Sequence, residues 1–177
     1  MGYQRWLMIG GLSVAVAVGV YAKASSTAQT TWQLAGQIAP PELLKQIGEE
    51  HLSSPEPVNL SQMRAWKIHQ PRQSAPLYLI DTRVTDSEQQ PLCGKAGCAF
   101  LGYIPGQQGY QTVFNTYLDP HLPPNTDLLS VTDELQSGLP TLTLHQLDGQ
   151  QLQRFTVAFD GTYYAVVTVD NLSPTHE

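Results

Sequence analysis

A chain of 177 residues, 41% hydrophobic and 14% charged, is long enough to bury the core of one domain. Its formal net charge is −6 and its nine Lys and Arg residues are scattered, which argues against a phosphate-backbone binder and leaves nucleic acid out of the expected partners. The same acidity disfavours anionic lipid headgroups, so membrane contact is expected only through the N-terminal segment.

That segment carries Arg5, an uncharged run from Trp6 to Ala22, then Lys23 and Ala24 before Ser25. A basic start, an apolar stretch and an Ala-x-Ala exit are the parts of a secretory signal peptide cleaved between Ala24 and Ser25. The rival reading of residues 1–24 is an N-terminal membrane anchor. Its 17 uncharged residues span about 25 Å as a helix, short of the roughly 20 residues a bilayer asks for. Either reading places the remaining chain outside the cytoplasm.

Residues 25–39 are small and polar without a sustained period and read as a linker, with Trp32, Leu34 and Ile38 as points where part of it docks. A single α+β domain is expected over 40–170, followed by a tail at 171–177. Pro40-Pro41 supplies a helix start, and Leu43, Leu44 and Ile47 on one face predict a short amphipathic helix to about Leu52. Asn59 followed by Gln62 resembles a capping box. With Leu60, Met63 and Trp66 at helical spacing it predicts a second helix, stopped by Pro71.

From Pro76 the texture becomes extended. Leu77-Tyr78-Leu79-Ile80 is a continuous apolar run, as in a strand buried on both faces. Further strands are expected near Ala99–Ile104, Tyr110–Tyr117, Leu128–Thr132, Pro140–His145, Leu152–Phe159 and Thr162–Val169. Asp148-Gly149 and Asp160-Gly161 mark tight hairpins, because Asp and Gly tolerate the positive φ these turns need, and Pro105–Gly109 reads as a longer hairpin loop. The expected fold is α+β: two N-terminal helices packed on an antiparallel β-meander of about five to seven strands.

Cys93-Gly94-Lys95-Ala96-Gly97-Cys98 brings the two cysteines of the chain close together. In an oxidising compartment such a pair persists as a disulfide, and Lys95 at the tip becomes a candidate partner contact. A redox pair is the weaker reading, since four residues intervene instead of the two of a Cys-x-x-Cys motif. Zinc would need His69, His121 or His145 to converge from distant segments.

Asp119 and His121 form the most suggestive loop, because an acid two residues from an imidazole can orient it for proton transfer. The alternative is a proline-stiffened surface turn. Tyr103, Tyr110, Phe114, Tyr163 and Tyr164 are either strand packing or an aromatic contact surface, with Tyr103 and Tyr110 as candidate contacts. No Gly-x-Ser-x-Gly elbow, His-Glu-x-x-His helix or Gly-rich phosphate loop occurs, so no catalytic residue, metal ligand or cofactor is assigned.

The Cys93–Cys98 turn, the strand after it and the closing Asp160-Gly161-Thr162-Tyr163-Tyr164 segment resemble exported, cyanobacterial-like bacterial proteins with a Cys-Gly-x-x-Gly-Cys turn and a late Asp-Gly-x-Tyr hairpin. The likeness spans about residues 76–168 and implies a β-rich module of a periplasm or thylakoid lumen. It transfers no catalytic residue. The expectation is therefore an exported non-enzymatic binding or accessory module that recognises a protein or envelope component. Its rivals are a small extracytoplasmic hydrolase or thiol-disulfide enzyme, and an anchored structural subunit of a membrane assembly.

Overall fold

The computed structural model describes residues 32–52, 58–85 and 87–172, so the leader and the junction of Ala24 with Ser25 lie outside the described residues. Three layers stack: a short helical layer, a six-stranded sheet and a four-stranded sheet. The chain runs β1 (Gln33–Leu34), α1 (Ala35–Ile38), α2 (Pro41–His51), β2 (Arg64–Ile68), β3 (Leu77–Asp81), β4 (Cys93–Gly94), β5 (Gly97–Gly106), β6 (Gly109–Leu118), β7 (Leu129–Gln136), β8 (Leu139–Asp148), β9 (Gln151–Phe159) and β10 (Tyr164–Leu172). The first sheet has the order β1-β2-β3-β5-β6, with β4 beside the start of β5. The second is a plain meander, β7-β8-β9-β10, and every pairing is antiparallel.

Alternation along the central strands builds two cores from one sheet. Leu77 and Leu79 of β3 and Phe100 of β5 face the second sheet, meeting Leu139, Leu142, Leu144, Val157, Phe159 and Tyr164. Their neighbours Tyr78, Ile80 and Leu101 face the helices and pack with Ala35, Leu43 and Ile47. Successive side chains of a strand point to opposite faces, so the apolar run at 77–80 feeds both cores. A bulge where Gly102 pairs with Phe114 and Tyr103 with Thr112 leaves Val113 as an extra residue, and Val113 and Phe114 both enter the core between the sheets. Gly102 is required there: a Cβ would stand 2.7 Å from that of Phe114.

The expectation of two helices on a single meander is corrected. Among the described residues strands make up 52% and helix only 13%, in two sheets with one helix of seven or more residues. The helix expected after Asn59 is one 3-10 turn, Leu60–Gln62, followed by β2. Asn59 does cap it, its Oδ1 accepting from the backbone N–H of Ser61 at 3.3 Å. The helix ends there because Ala65 faces the helical layer while Trp66 and Ile68 face the other sheet, a period of two that pairing with β3 satisfies. Pro105–Gly109 also forms a tighter turn than a long loop, since Gly106 pairs directly with Gly109.

Candidate functional site

β6 and β10 end their respective sheets and lie on the same side of the sandwich. Between them a cleft of about 220 Å³ opens into the space between the sheets. Phe114, Leu118, Leu144, Phe155, Val157 and Tyr164 give it apolar walls, and Asn115, Thr116, Gln146 and Tyr163 contribute polar groups; among the described residues no charged one lines it.

Register explains the open wall. Leu142, Val157 and Val166 form one row across β8, β9 and β10, and Leu144, Phe155 and Val169 the next. Paired residues share a face, so Val166 and Val169 point the same way as the core residues of β8 and β9. Yet Val166 is 58% exposed and Val169 51%, because the first sheet stops at β6 and nothing among the described residues covers them. A further row, Gln146, Gln153 and Asn171, continues the same face in amides, and Gln153 Nε2 donates to Asn171 Oδ1 at 3.1 Å.

The turn joining β9 to β10 bridges the cleft. Asp160 Oδ1 accepts from the backbone N–H groups of Thr162 at 2.7 Å and Tyr163 at 2.9 Å, and these two bonds hold its carboxyl below the usual carboxylate range. So braced, Tyr163 donates its hydroxyl to the carbonyl of Asn115 on β6 at 3.3 Å, and Gln111 Nε2 donates to the carbonyl of Thr162 at 3.2 Å. Deeper in, the Tyr164 hydroxyl donates to the Pro140 carbonyl at 2.7 Å, and burial raises its pKa well above the ordinary phenol value.

The other candidates from sequence do not gather here. Tyr103 is 0% exposed, on the helix-facing side of the first sheet, so as a partner contact it is covered by α2. Its hydroxyl donates to Glu50 Oε2 at 3.2 Å and lies 3.0 Å from Nε2 of His51, while burial, and then the Glu50 charge, raise its pKa. Tyr110 is half-buried on the same side. Gln46 spans its backbone, with Oε1 accepting from the Tyr110 N–H at 3.0 Å and Nε2 donating to its carbonyl at 2.7 Å. These contacts pin α2 to the sheet. Among the described residues no three His, Cys, Asp or Glu side chains form a metal-binding group.

Asp119 Oδ1 accepts from both the backbone N–H of His121 at 3.0 Å and its ring Nδ1 at 2.7 Å. The backbone bond, more than the ring, lowers the Asp119 pKa. Both side chains are open to solvent and among the described residues no third side chain bonds either of them, so the pair closes its own turn. Cys93 and Cys98 pair across β4 and β5 and form the disulfide, with Lys95 exposed at the turn between the strands.

The aromatic set chosen from sequence thus divides. Phe114, Tyr163 and Tyr164 line the cleft, while Tyr103 and Tyr110 hold the helix. Sequence reasoning missed Val166 and Val169, which read as ordinary strand interior. Their signal was the run Val166-Val167 in the last strand, where strict alternation fails because a bulge falls between Val166 and Thr168. Comparison with protein families, curated proteins and solved structures finds no match for this chain.

Proposed function

We propose that this chain is an exported, non-enzymatic binding or accessory module of the cell envelope or of a membrane complex, and that it meets its partner at the cleft between β6 and β10. One observation carries the reading: apolar side chains that elsewhere in the sandwich are covered stay open at Val166 and Val169, beside a cleft free of charged walls. Exposed apolar surface of this kind, rimmed by polar groups, marks interaction sites. Export rests on the leader pattern of residues 1–24, and the Cys93–Cys98 disulfide is compatible with an oxidising compartment.

Photo-crosslinking in the producing cells tests the site. A photoreactive residue in place of Tyr163 is expected to give a discrete adduct with one protein or envelope component. The same residue in place of Lys45, on the exposed face of α2, gives none. Equal labelling from both positions, or none from Tyr163, refutes the reading.

A further inference from the structure

The cleft lies between two end strands that differ in one respect. The outer edge of β6 is stoppered: Gln46 occupies the backbone N–H and carbonyl of Tyr110, and the Tyr163 hydroxyl occupies the carbonyl of Asn115. Along β10, among the described residues, no side chain bonds the backbone from Val166 to Asp170, and no strand pairs with its outer side. β10 has one device that blunts a sheet edge, the bulge between Val166 and Thr168, and beyond it the strand is regular. Within Tyr164–Leu172 there is no Pro and no Lys, and its one charge, Asp170, is paired with Arg154 at 3.0 Å.

Resting on the binding reading above, we propose that β10 receives an added strand: an extended, uncharged segment of a partner protein pairs along Thr168–Asn171 and sets an apolar side chain into the cleft. Three observations select this occupant. The cleft volume of about 220 Å³ falls below the roughly 300–1,000 Å³ of small-molecule pockets and suits one or two side chains. Among the described residues its walls carry no charge to match an ionic ligand. An added strand also presents alternate side chains on the face of Val166 and Val169, which covers both valines while its backbone satisfies the open edge.

A second copy is the less favoured occupant. A two-fold pairing centred in the regular stretch on Asp170 would set Asp170 opposite its own copy, like charges facing each other across the ladder, whereas an uncharged foreign segment meets no such repulsion.

The test uses the full chain with the capped peptide acetyl-Lys-Thr-Val-Thr-Leu-Thr-Val-Lys-amide, a copy N-methylated at alternate residues, and a copy with Asp at each apolar position. Hydrogen exchange is expected to slow at the amides of Thr168 to Asn171 on peptide addition. N-methylation, which keeps the side chains and removes strand donors, should weaken binding about tenfold or more. The Asp copy should fail. In the protein, Val169→Asp, at an exposed position, should abolish the effect at unchanged Tm. Equal binding of the N-methylated copy, no slowing with any peptide, or concentration-dependent protection of β10 by the protein alone each overturns strand addition. Crosslinks from Tyr163 without strand addition would leave the binding module standing. Strand addition without crosslinks would keep the mode and discard the proposed physiological site.

Discussion

At the scale of single residues, Asp81 shows how closely the fold must be matched by its charges. It ends β3 with 1% exposure, a position where an unpaired carboxylate would be very costly. Arg83 answers it with a two-pronged grip: Nε donates to Oδ1 at 2.8 Å and to Oδ2 at 3.0 Å, Nη2 donates to Oδ2, and the guanidinium lies 5.7 Å from the Phe100 ring centroid. Removing only the cation leaves a buried charge, so Arg83→Ala is expected to destabilise by roughly 3 kcal/mol, the low end for a buried pair because Arg83 is partly solvated. The double variant Asp81→Leu with Arg83→Met should recover much of that loss. Urea denaturation of the three proteins checks it, and a double variant as unstable as Arg83→Ala would mean that the pair holds the fold through its geometry.

At the scale of elements, the β4–β5 hairpin was readable from sequence because its constraint is local. Two cysteines with four residues between them and glycines beside them leave little freedom, and the glycine at 97 is needed twice over. It has φ +97°, and a Cβ there would stand 2.1 Å from the Leu118 carbonyl oxygen. The strands from Leu77 onward were readable too, since Asp-Gly turns and β-branched runs fix their ends. The helix expected at 59–70 was not, because Leu60, Met63 and Trp66 fit a helical face as well as Ala65, Trp66 and Ile68 fit alternation. Only the presence of β3 on one side and β1 on the other decides between them. A short loop also limits what the disulfide contributes. Replacing both Cys93 and Cys98 with Ser should cost about 2 kcal/mol on the chain-entropy account. Hydrogen exchange should quicken in β4 and the start of β5 and stay slow in β8 and β9; quickening throughout would show that the bond supports the whole sandwich.

At the scale of the molecule, one sheet serves as a wall for both cores, and this ties their stability together. The sequence disclosed that β3 is buried on both faces but not what covers each face, because layer stacking is set by contacts between distant segments: Gln70 reaches the Thr132 carbonyl at 2.8 Å, and the Ser74 N–H the Gly138 carbonyl at 2.8 Å. Tyr103 and Tyr164 report on the two cores separately, one beneath α2 and the other between the sheets. Burial raises both hydroxyls above the ordinary value of 10.0, with the Glu50 charge adding to the rise at Tyr103. Each is therefore neutral in the folded chain at a pH where the unfolded chain has ionised it. Their contribution to stability is complete below pH 10 and declines as pH rises from there toward the folded-state values, by at most about 2.7 kcal/mol per pH unit for the two together. Because Leu77, Leu79 and Phe100 cannot leave one core without displacing Tyr78, Ile80 and Leu101 from the other, both phenols should ionise in a single step that coincides with unfolding. Phenolate absorbance and Trp fluorescence followed through an alkaline titration test this. Tyr103→Phe should remove one late-ionising group and leave the remaining transition single, whereas two separated steps in the parent protein would show that the helical layer detaches while the sandwich persists.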